Sequence, residues 1–556
     1  MKACLIFSPF SSLSHIPLGI AYLKSFIEKS IPSIRIKNLD LSNNFYHNLD
    51  KNEFSSFLPY LCLICPGSRK SKCKGILRKK EFTYWIKTAS VSKSCIIDSK
   101  TNEFYNAYKY NKLRRTYDLF YDQIISCIFR VLKFTLEFPR EENDIILEDN
   151  LFKDDINKIL SEDPVIVGFS IFSASQLYYS LALAKILKTR INAQIIFGGA
   201  YIAYLDKKSI LQIFDFIDFI IYKEGELSIT SLLKNLKKRK INEIPNLVYR
   251  KGDEIIENKE SVIHNLDRIP YPDFSDYNLS GYFTSKPVLP MLFSRGCFWD
   301  ACTFCAHHKA YSNPYRTRSI SNFIQEIKHY QKMGIHHIWF ADEAITAADL
   351  ELISKTLLRE RIKIYYGLMN RPTGDFTYKI LKRMYRAGCR IIAWGVESGS
   401  QRILNLMNKG TNAKEIKNLL KVSSKIGLFN AVFIILGFPT QTEEEILDDM
   451  KFFKKASRYS DYDIINSFRL EHDSAIFLNP KRFGLGYLKR NYLLKTKRGK
   501  LFSTEVSFVR KKKINWKRLN KLLEKKGIKK FPGVISGFCN IGSFCSPEPT
   551  LLHLGR

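Results

Sequence analysis

At 556 residues the chain is long enough for two to four domains of ordinary size, which excludes a lone small module. Hydrophobic residues make up 45% and charged residues 26%, a globular composition that excludes collagen-like and wholly disordered chains. The 88 Lys and Arg against 54 Asp and Glu leave a formal charge of +34, which suits either an acidic partner or a compositionally biased proteome. The 12 cysteines are unevenly spread and do not form the dense framework of a small secreted disulfide protein, so a reducing, cytoplasmic setting is expected. The apolar start ends at Pro9 without a cleavage site, and no run of about 18 apolar residues occurs, so neither a signal peptide nor a membrane span is expected.

In chain order, Ala3 to Phe7 reads as a strand, Pro17 to Glu28 as a helix and Ile34 to Leu39 as a second strand, a βαβ opening. Residues 43–160 have poor periodicity and read as an insertion; they hold Cys62, Cys65 and Cys73, taken as structural thiols, a basic run from Arg69 to Lys80, and apolar-aromatic helices near Tyr117 to Phe138. The alternation resumes with the strand Val165 to Phe169, a helix from Gln176 to Lys188, the strand Gln194 to Phe197, and the strand Phe216 to Tyr222 before a further helix. Apolar strands alternating with helices imply a doubly wound parallel sheet that binds ligands at its carboxyl edge. This first α/β domain spans 1–242. A connector follows over 243–285, with a hairpin turning at Gly252-Asp253 and a stiff stretch from Pro270 to Phe274. A second alternating series covers 286–460. Residues 461–556 read as an irregular basic region: its window 481–530 holds 19 Lys and Arg against Glu505 and Glu524, either a phosphate-binding face or a solvated helix.

Cys297, Cys302 and Cys305 lie within nine residues on a loop after the strand Val288 to Phe293. Soft sulfur donors at this spacing suit zinc, with His307 or His308 as a fourth ligand, or an iron–sulfur cluster with one open iron. Cys389 reads as a small buried hydrophobe. The loop resembles the signature of the radical SAM superfamily, with Phe304 as the aromatic residue before the last cysteine, although four residues rather than three separate Cys297 from Cys302. The later motifs are also similar to that family. His337 to Glu343 looks like its second strand, ending in Asp342 and Glu343 for the SAM amino group; Gly367 to Arg371 looks like the third, with Arg371 for the SAM carboxylate. Ala393 to Ser400, with Glu397 and Ser398, followed by Leu406 to Thr411, resembles the fourth strand and its ribose-binding residues. Ala431 to Pro439, with Gly437, resembles the fifth, whose backbone brackets adenine. Thr442 and Glu445 then form a helix capping box.

The resemblance implies a 4Fe-4S cluster that cleaves S-adenosylmethionine to a 5′-deoxyadenosyl radical, on a partial (β/α)6 barrel. The domain before it resembles the cobalamin-binding domain of the cobalamin-dependent radical SAM branch, on the pieces Pro17 to Leu23, Val167 to Ser170, Phe197-Gly198-Gly199 and Glu224-Gly225-Glu226. Ser170, Gly198, Gly199, Glu224, Gly225 and Glu226 are thereby candidate cobalamin contacts; the Asp-x-His-x-x-Gly motif that supplies a lower axial histidine is missing. These resemblances imply cobalamin-dependent C-methylation of a peptide or small-molecule natural product, with a flavodoxin or ferredoxin as electron donor and nucleic acid not favoured. A cobalamin-independent radical oxidoreductase or cyclase is the alternative within the class, and a zinc-stabilised nucleic-acid-binding protein the alternative outside it.

Overall fold

The computed structural model describes residues 1–10, 16–49, 125, 128–235, 241–282, 286–310, 314–510 and 514. Cys62, Cys65, Cys73, the basic run 69–80, the lysines of 511–513 and 517–530, Cys539 and Cys545 lie outside them. The first sheet contains β1 (Lys2–Phe7), β2 (Arg35–Asp40), β3 (Ile166–Ser170), β4 (Gln194–Gly198), β5 (Phe219–Ile221), β6 (Leu247–Lys251) and β7 (Glu254–Glu257), in the order β2-β1-β3-β4-β5-β6-β7. Pairing is parallel through β5 and antiparallel from β5 to β7. Helices α1 (Leu18–Ser30), α2 (Ala174–Lys188) and α3 (Glu226–Asn235) cross between strands, α2 being capped by Ser173, whose hydroxyl accepts the Gln176 N–H.

The second sheet is wholly parallel. Its strands β8 (Val288–Met291), β9 (His337–Phe340), β10 (Tyr365–Asn370), β11 (Cys389–Glu397), β12 (Phe429–Leu436) and β13 (Tyr462–Ser467) pair in chain order. Between them run α4 (Ile320–Lys332), α5 (Ala347–Arg359), α6 (Tyr378–Arg386), α7 (Gln401–Leu406), α8 (Ala413–Ile426) and α9 (Glu443–Ala456). Ser and Thr caps start most of these helices, and the capping box of Thr442 with Glu445 is present on α9. Trp339, Trp394 and Tyr366 are fully buried here; Tyr366 stacks on Phe340 at 4.5 Å, and Gly367 leaves the space that the Trp339 ring fills. One apolar cluster runs from α1 and α3 through Phe274, Tyr277 and Tyr282 into this barrel, so the two sheets share a core.

Two boundaries differ from the sequence reading. The hairpin placed in the connector is β6 and β7, which extend the first sheet, so the unit read as ending at 242 continues to Glu257. Local residues reveal a hairpin but not the strand it will join. Likewise β13 completes the second sheet beyond 460, and the region read as irregular forms a three-stranded antiparallel sheet of β14 (Leu470–Glu471), β16 (Gly499–Arg510) and β15 (Leu485–Thr496).

The β15–β16 hairpin is a strap. At one end Leu485 and Val506 pack with Phe438 and Phe468 beside the barrel; at the other Leu493, Leu494 and Leu501 enter the core on the far face of the first sheet. Tyr178 of α2 donates its hydroxyl to the Leu493 carbonyl at 2.6 Å, and the Lys495 N–H donates to Glu137 at 2.9 Å. The stretch 128–137, part of the presumed insertion, belongs to that same core through Ile128, Val131, Leu132 and Leu136. No described helix is long and apolar enough to cross a membrane. Leu494→Ala removes a fully buried side chain and is expected to cost about 2–5 kcal/mol, read as a lower urea midpoint; an unchanged midpoint would mean that the strap does not pack on the first sheet.

Candidate functional site

The cysteine loop leaves β8 through a two-residue ribbon, Ser294–Arg295, paired antiparallel with Arg316–Thr317. Cys297, Cys302 and Cys305 are free and partly buried. Burial pushes the Cys302 and Cys305 thiols above their ordinary pKa, and the His307 N–H donates to Cys305 Sγ at 3.4 Å. The loop is pinned to the segment after α7. The Thr303 N–H donates to the Met407 carbonyl at 2.9 Å, its hydroxyl to Leu406 at 2.8 Å, Trp299 Nε1 to the Asn408 carbonyl at 2.7 Å, and Asn408 Nδ2 to the Ala301 carbonyl at 2.8 Å. Gly410 has φ +64°, and a Cβ there would strike the Trp299 ring, so only glycine lets the two segments close.

Two cations sit against the thiols. Arg371, at the carboxyl end of β10, donates Nη2 to the Lys409 carbonyl and stacks on Trp299 at 4.1 Å; its buried Nε finds no acceptor among the described residues. Burial lowers its pKa, while the nearby Cys302 and Cys297 oppose that. Lys409 lies 3.0 Å from Glu397, which has φ +66° at the end of β11, and its ammonium is 5.9 Å from the Phe304 ring centre. Burial works against the Lys409 charge, but Glu397 and Cys302 outweigh it and hold its pKa above the ordinary value. The buried hydroxyl of Thr411, two residues on, also has no partner among the described residues.

Asp342 does not offer a free carboxylate. Its oxygens accept the Phe293 N–H at 3.1 Å and the N–H and hydroxyl of Ser294 at 2.5 Å, so it anchors the start of the cysteine loop; burial pushes its pKa up to about 6. Glu343 is the acid that faces the loop, 3.5 Å from His307 Nδ1. That turns the His307 ring toward an acid. Ser398 is committed as well: fully buried, it donates to Asp449 of α9 at 2.8 Å. The Gly437 N–H donates to Gln441 at 2.7 Å, and Gln441 donates in turn to Asp449 at 2.6 Å.

The residues proposed for cobalamin divide into two groups. Ser170 and Gly198 pair in register at the carboxyl edge of β3 and β4, and Ser170 adjoins the point between β1 and β3 where strand order reverses. Gly198 and Gly199 are required by the protein itself: a Cβ on Gly198 would come within 3.0 Å of the Ile221 carbonyl, and one on Gly199, at φ +95°, within 2.5 Å of the Ile171 backbone. Glu224 and Glu226 are drawn into a buried four-residue ion cluster with the ribbon that carries the cysteine loop. Glu224 pairs with Arg316 and, at 3.3 Å, with Arg295; Glu226 pairs with Arg295. Burial alone would raise the Glu224 pKa, but the hydrogen bond from Arg316 and the charge of Arg295 hold it below the ordinary value. A Cβ on Gly225 would lie 3.4 Å from the Leu23 side chain, an ordinary contact.

Sequence reasoning missed Arg295, Arg316, Trp299, Lys409, Gln441 and Asp449. The segment Leu406 to Thr411 resembles the family's ribose-binding stretch, and Gly410 after Lys409 is its signal of close approach.

Three comparisons bear on this arrangement. Residues 291–453 match the Radical SAM superfamily model. Over 340 residues the chain is 31% identical to an uncharacterised methyltransferase of Pyrococcus horikoshii, covering 58% of this chain and 72% of that one. Its fold is similar to that of OxsB, a cobalamin-dependent S-adenosylmethionine radical enzyme solved with aqua-cobalamin and S-adenosylmethionine, at TM-score 0.54 and 17% identity over 87% of this chain; the match spans 56% of OxsB. It is also similar to the radical S-adenosylmethionine methyltransferase TsrM of Kitasatospora setae, solved with cobalamin and a 4Fe-4S cluster, at TM-score 0.56 and 13% identity, covering 89% of this chain and 82% of TsrM. Arg295→Met, which leaves Glu226 buried without its cation, is expected to cost about 3–5 kcal/mol in urea unfolding, and more than Glu226→Gln, which removes the charge and keeps the shape; the reverse order would refute the ion cluster.

Proposed function

The chain belongs to the radical SAM superfamily, and on that premise we propose that it is a cobalamin-dependent C-methyltransferase acting on a peptide or small natural product. The observation that carries this reading is the set of three free cysteines on one loop at the carboxyl edge of a parallel sheet, with two buried cations against them and two unpartnered donors, Arg371 Nε and Thr411 Oγ1, beside them. That donor set fits a cluster with SAM: the sulfurs are soft ligands, and the orphaned donors need an acceptor that the described residues do not supply. Bound there, the cluster and SAM would supply one-electron cleavage of SAM to a 5′-deoxyadenosyl radical.

The residues of the chain do the remaining work. Cys297, Cys302 and Cys305 would hold the iron, and Phe304, between the last two in sequence, packs against the cluster of Ile403, Met407 and Phe438. Arg371 and Lys409 offset the negative charge of thiolates in a buried place, and Arg371 offers Nε to the SAM carboxylate. Glu343 is the acid available to the SAM amino group, with Asp342 fixing the loop from below. Glu397, held by Lys409, and the turns at Ser398 and Gly437 form the nucleoside side. Burial of these groups excludes water from a reactive intermediate.

Cobalamin is assigned to the carboxyl edge of the first sheet beside Ser170 and Gly198, where short side chains border the switch in strand order. A second reading, a cobalamin-independent radical oxidoreductase or cyclase, is favoured by the packing roles of Gly199, Glu224 and Glu226, which leave fewer residues for that ligand. In either case a low-potential carrier such as a flavodoxin or ferredoxin would deliver the electron.

Anaerobic reconstitution is expected to load about four iron and four sulfide per chain and to yield 5′-deoxyadenosine from SAM under reduction. Cys297→Ala, Cys302→Ala and Cys305→Ala are each expected to abolish that product; full cleavage by any one would refute its ligand role. Cobalamin retained through purification, seen by its visible spectrum, is the outcome expected of the methyltransferase. Its absence after supplementation, with SAM cleavage intact, would select the second reading.

A further inference from the structure

The two turns assigned to the nucleoside side of SAM are joined through one buried acid that lies outside every motif. Asp449, on helix α9, accepts the Ser398 hydroxyl at 2.8 and 3.0 Å, the Gly399 N–H at 2.7 Å and Gln441 Nε2 at 2.6 Å. Gln441 Oε1 accepts the Gly437 N–H at 2.7 Å and the Phe438 N–H at 3.2 Å. One carboxylate and one amide thus connect the turn after β11 to the turn after β12. The same helix braces these turns twice more: Phe452 packs so closely on Gly399 that a Cβ would lie 2.5–2.7 Å from the ring, and Glu445 holds Arg402 of α7 at 2.6 Å through both oxygens.

The chemical type of the group matters. Every hydrogen bond named for Asp449 comes from a neutral N–H or O–H, so the group must act purely as an acceptor. Burial pushes its pKa up to about 6, against the pull of those donors. Elsewhere in the same barrel a neutral amide does the structural linking: Asn430 Oδ1 accepts Trp394 Nε1 at 2.9 Å and the Ser423 hydroxyl at 2.7 Å. A buried carboxylate is costlier than such an amide, and what it gains is the ability to align several donors at once, two of them on a turn that must keep one shape.

We propose that Asp449, acting with Gln441, is a positioning residue for SAM: it fixes the turns at 398–400 and 437–438 in register so that the nucleoside meets a preformed wall. The proposal rests on the reading that SAM lies between these turns. Asp449→Asn places an amide N–H against one of the present donors, which spreads the turns without altering the cysteine loop.

The test uses the reconstituted full chain. For Asp449→Asn we expect unchanged iron and sulfide content, a KM for SAM in 5′-deoxyadenosine formation raised about tenfold or more, and kcat within about threefold. SAM binding without reductant should weaken by a matching factor, which separates positioning from general damage to the fold. Ser398→Ala and Gln441→Ala each remove part of the link, are expected to shift KM in the same sense by less, and carry the test if the Asn variant does not fold. A KM unchanged in all folded variants, or a loss confined to kcat, overturns the proposal while leaving the radical SAM reading intact. No SAM cleavage by the wild-type chain overturns both.

Discussion

The buried quartet of Glu224, Glu226, Arg295 and Arg316 is the constraint on which the rest of the arrangement depends. Glu224 stands on the loop that leaves the carboxyl end of β5 and Glu226 opens α3 just after it, while the two arginines lie on the ribbon that leaves the carboxyl end of β8 and returns after the cysteine loop. Four charges out of water stabilise nothing by themselves; their value lies in geometry, since any other relative placement of the sheets leaves a charge unpaired. Arg316 adds a donated bond to the Ile263 carbonyl at 2.7 Å, which brings the connector into the same lock. The ligand edge of one sheet is therefore mechanically tied to the root of the cysteine loop of the other.

Downstream of that tie, the site is built by segments that lie far apart in the chain and have few alternatives. The cysteine loop reaches 406–409, Lys409 reaches back to Glu397, and Arg371 is clamped between the Lys409 carbonyl and the Trp299 ring. Each partner is fixed by another, so the positive charges beside the thiols are held in place before any cofactor arrives, as electrostatic preorganisation requires. The acid read as a ligand group, Asp342, turns out to be one of the fixings, and the acid of α9 that no motif contains turns out to hold two turns.

What the residues alone made legible follows from range. Continuous apolar strands, the cysteine spacing and the Thr442 cap are local signals, and the α/β architecture could be read from them. Roles that depend on distant partners could not. Glu224 and Glu226 entered as candidate ligand contacts through the resemblance alone, and their ion pairs were hidden because the cations lie 69 to 92 residues further on. The strap was invisible for a different reason: β15 and β16 shift register three times along their pairing, which erases the two-residue alternation that marks a strand, and its lysines made it look like a tail. Sheet membership of the 247–257 hairpin was hidden in the same way, since a turn announces itself while its neighbour does not.

The strap has a consequence for the order in which the molecule is made. Tyr178 is joined to Leu493 across 315 residues of sequence and Glu137 to Lys495 across 358. The part of the far face of the first sheet that Leu493, Leu494 and Leu501 cover thus stays open while the barrel is being synthesised, until those residues emerge from the ribosome. The domain that is translated first is among the last to be completed, and the late-arriving hairpin couples its maturation to that of the barrel.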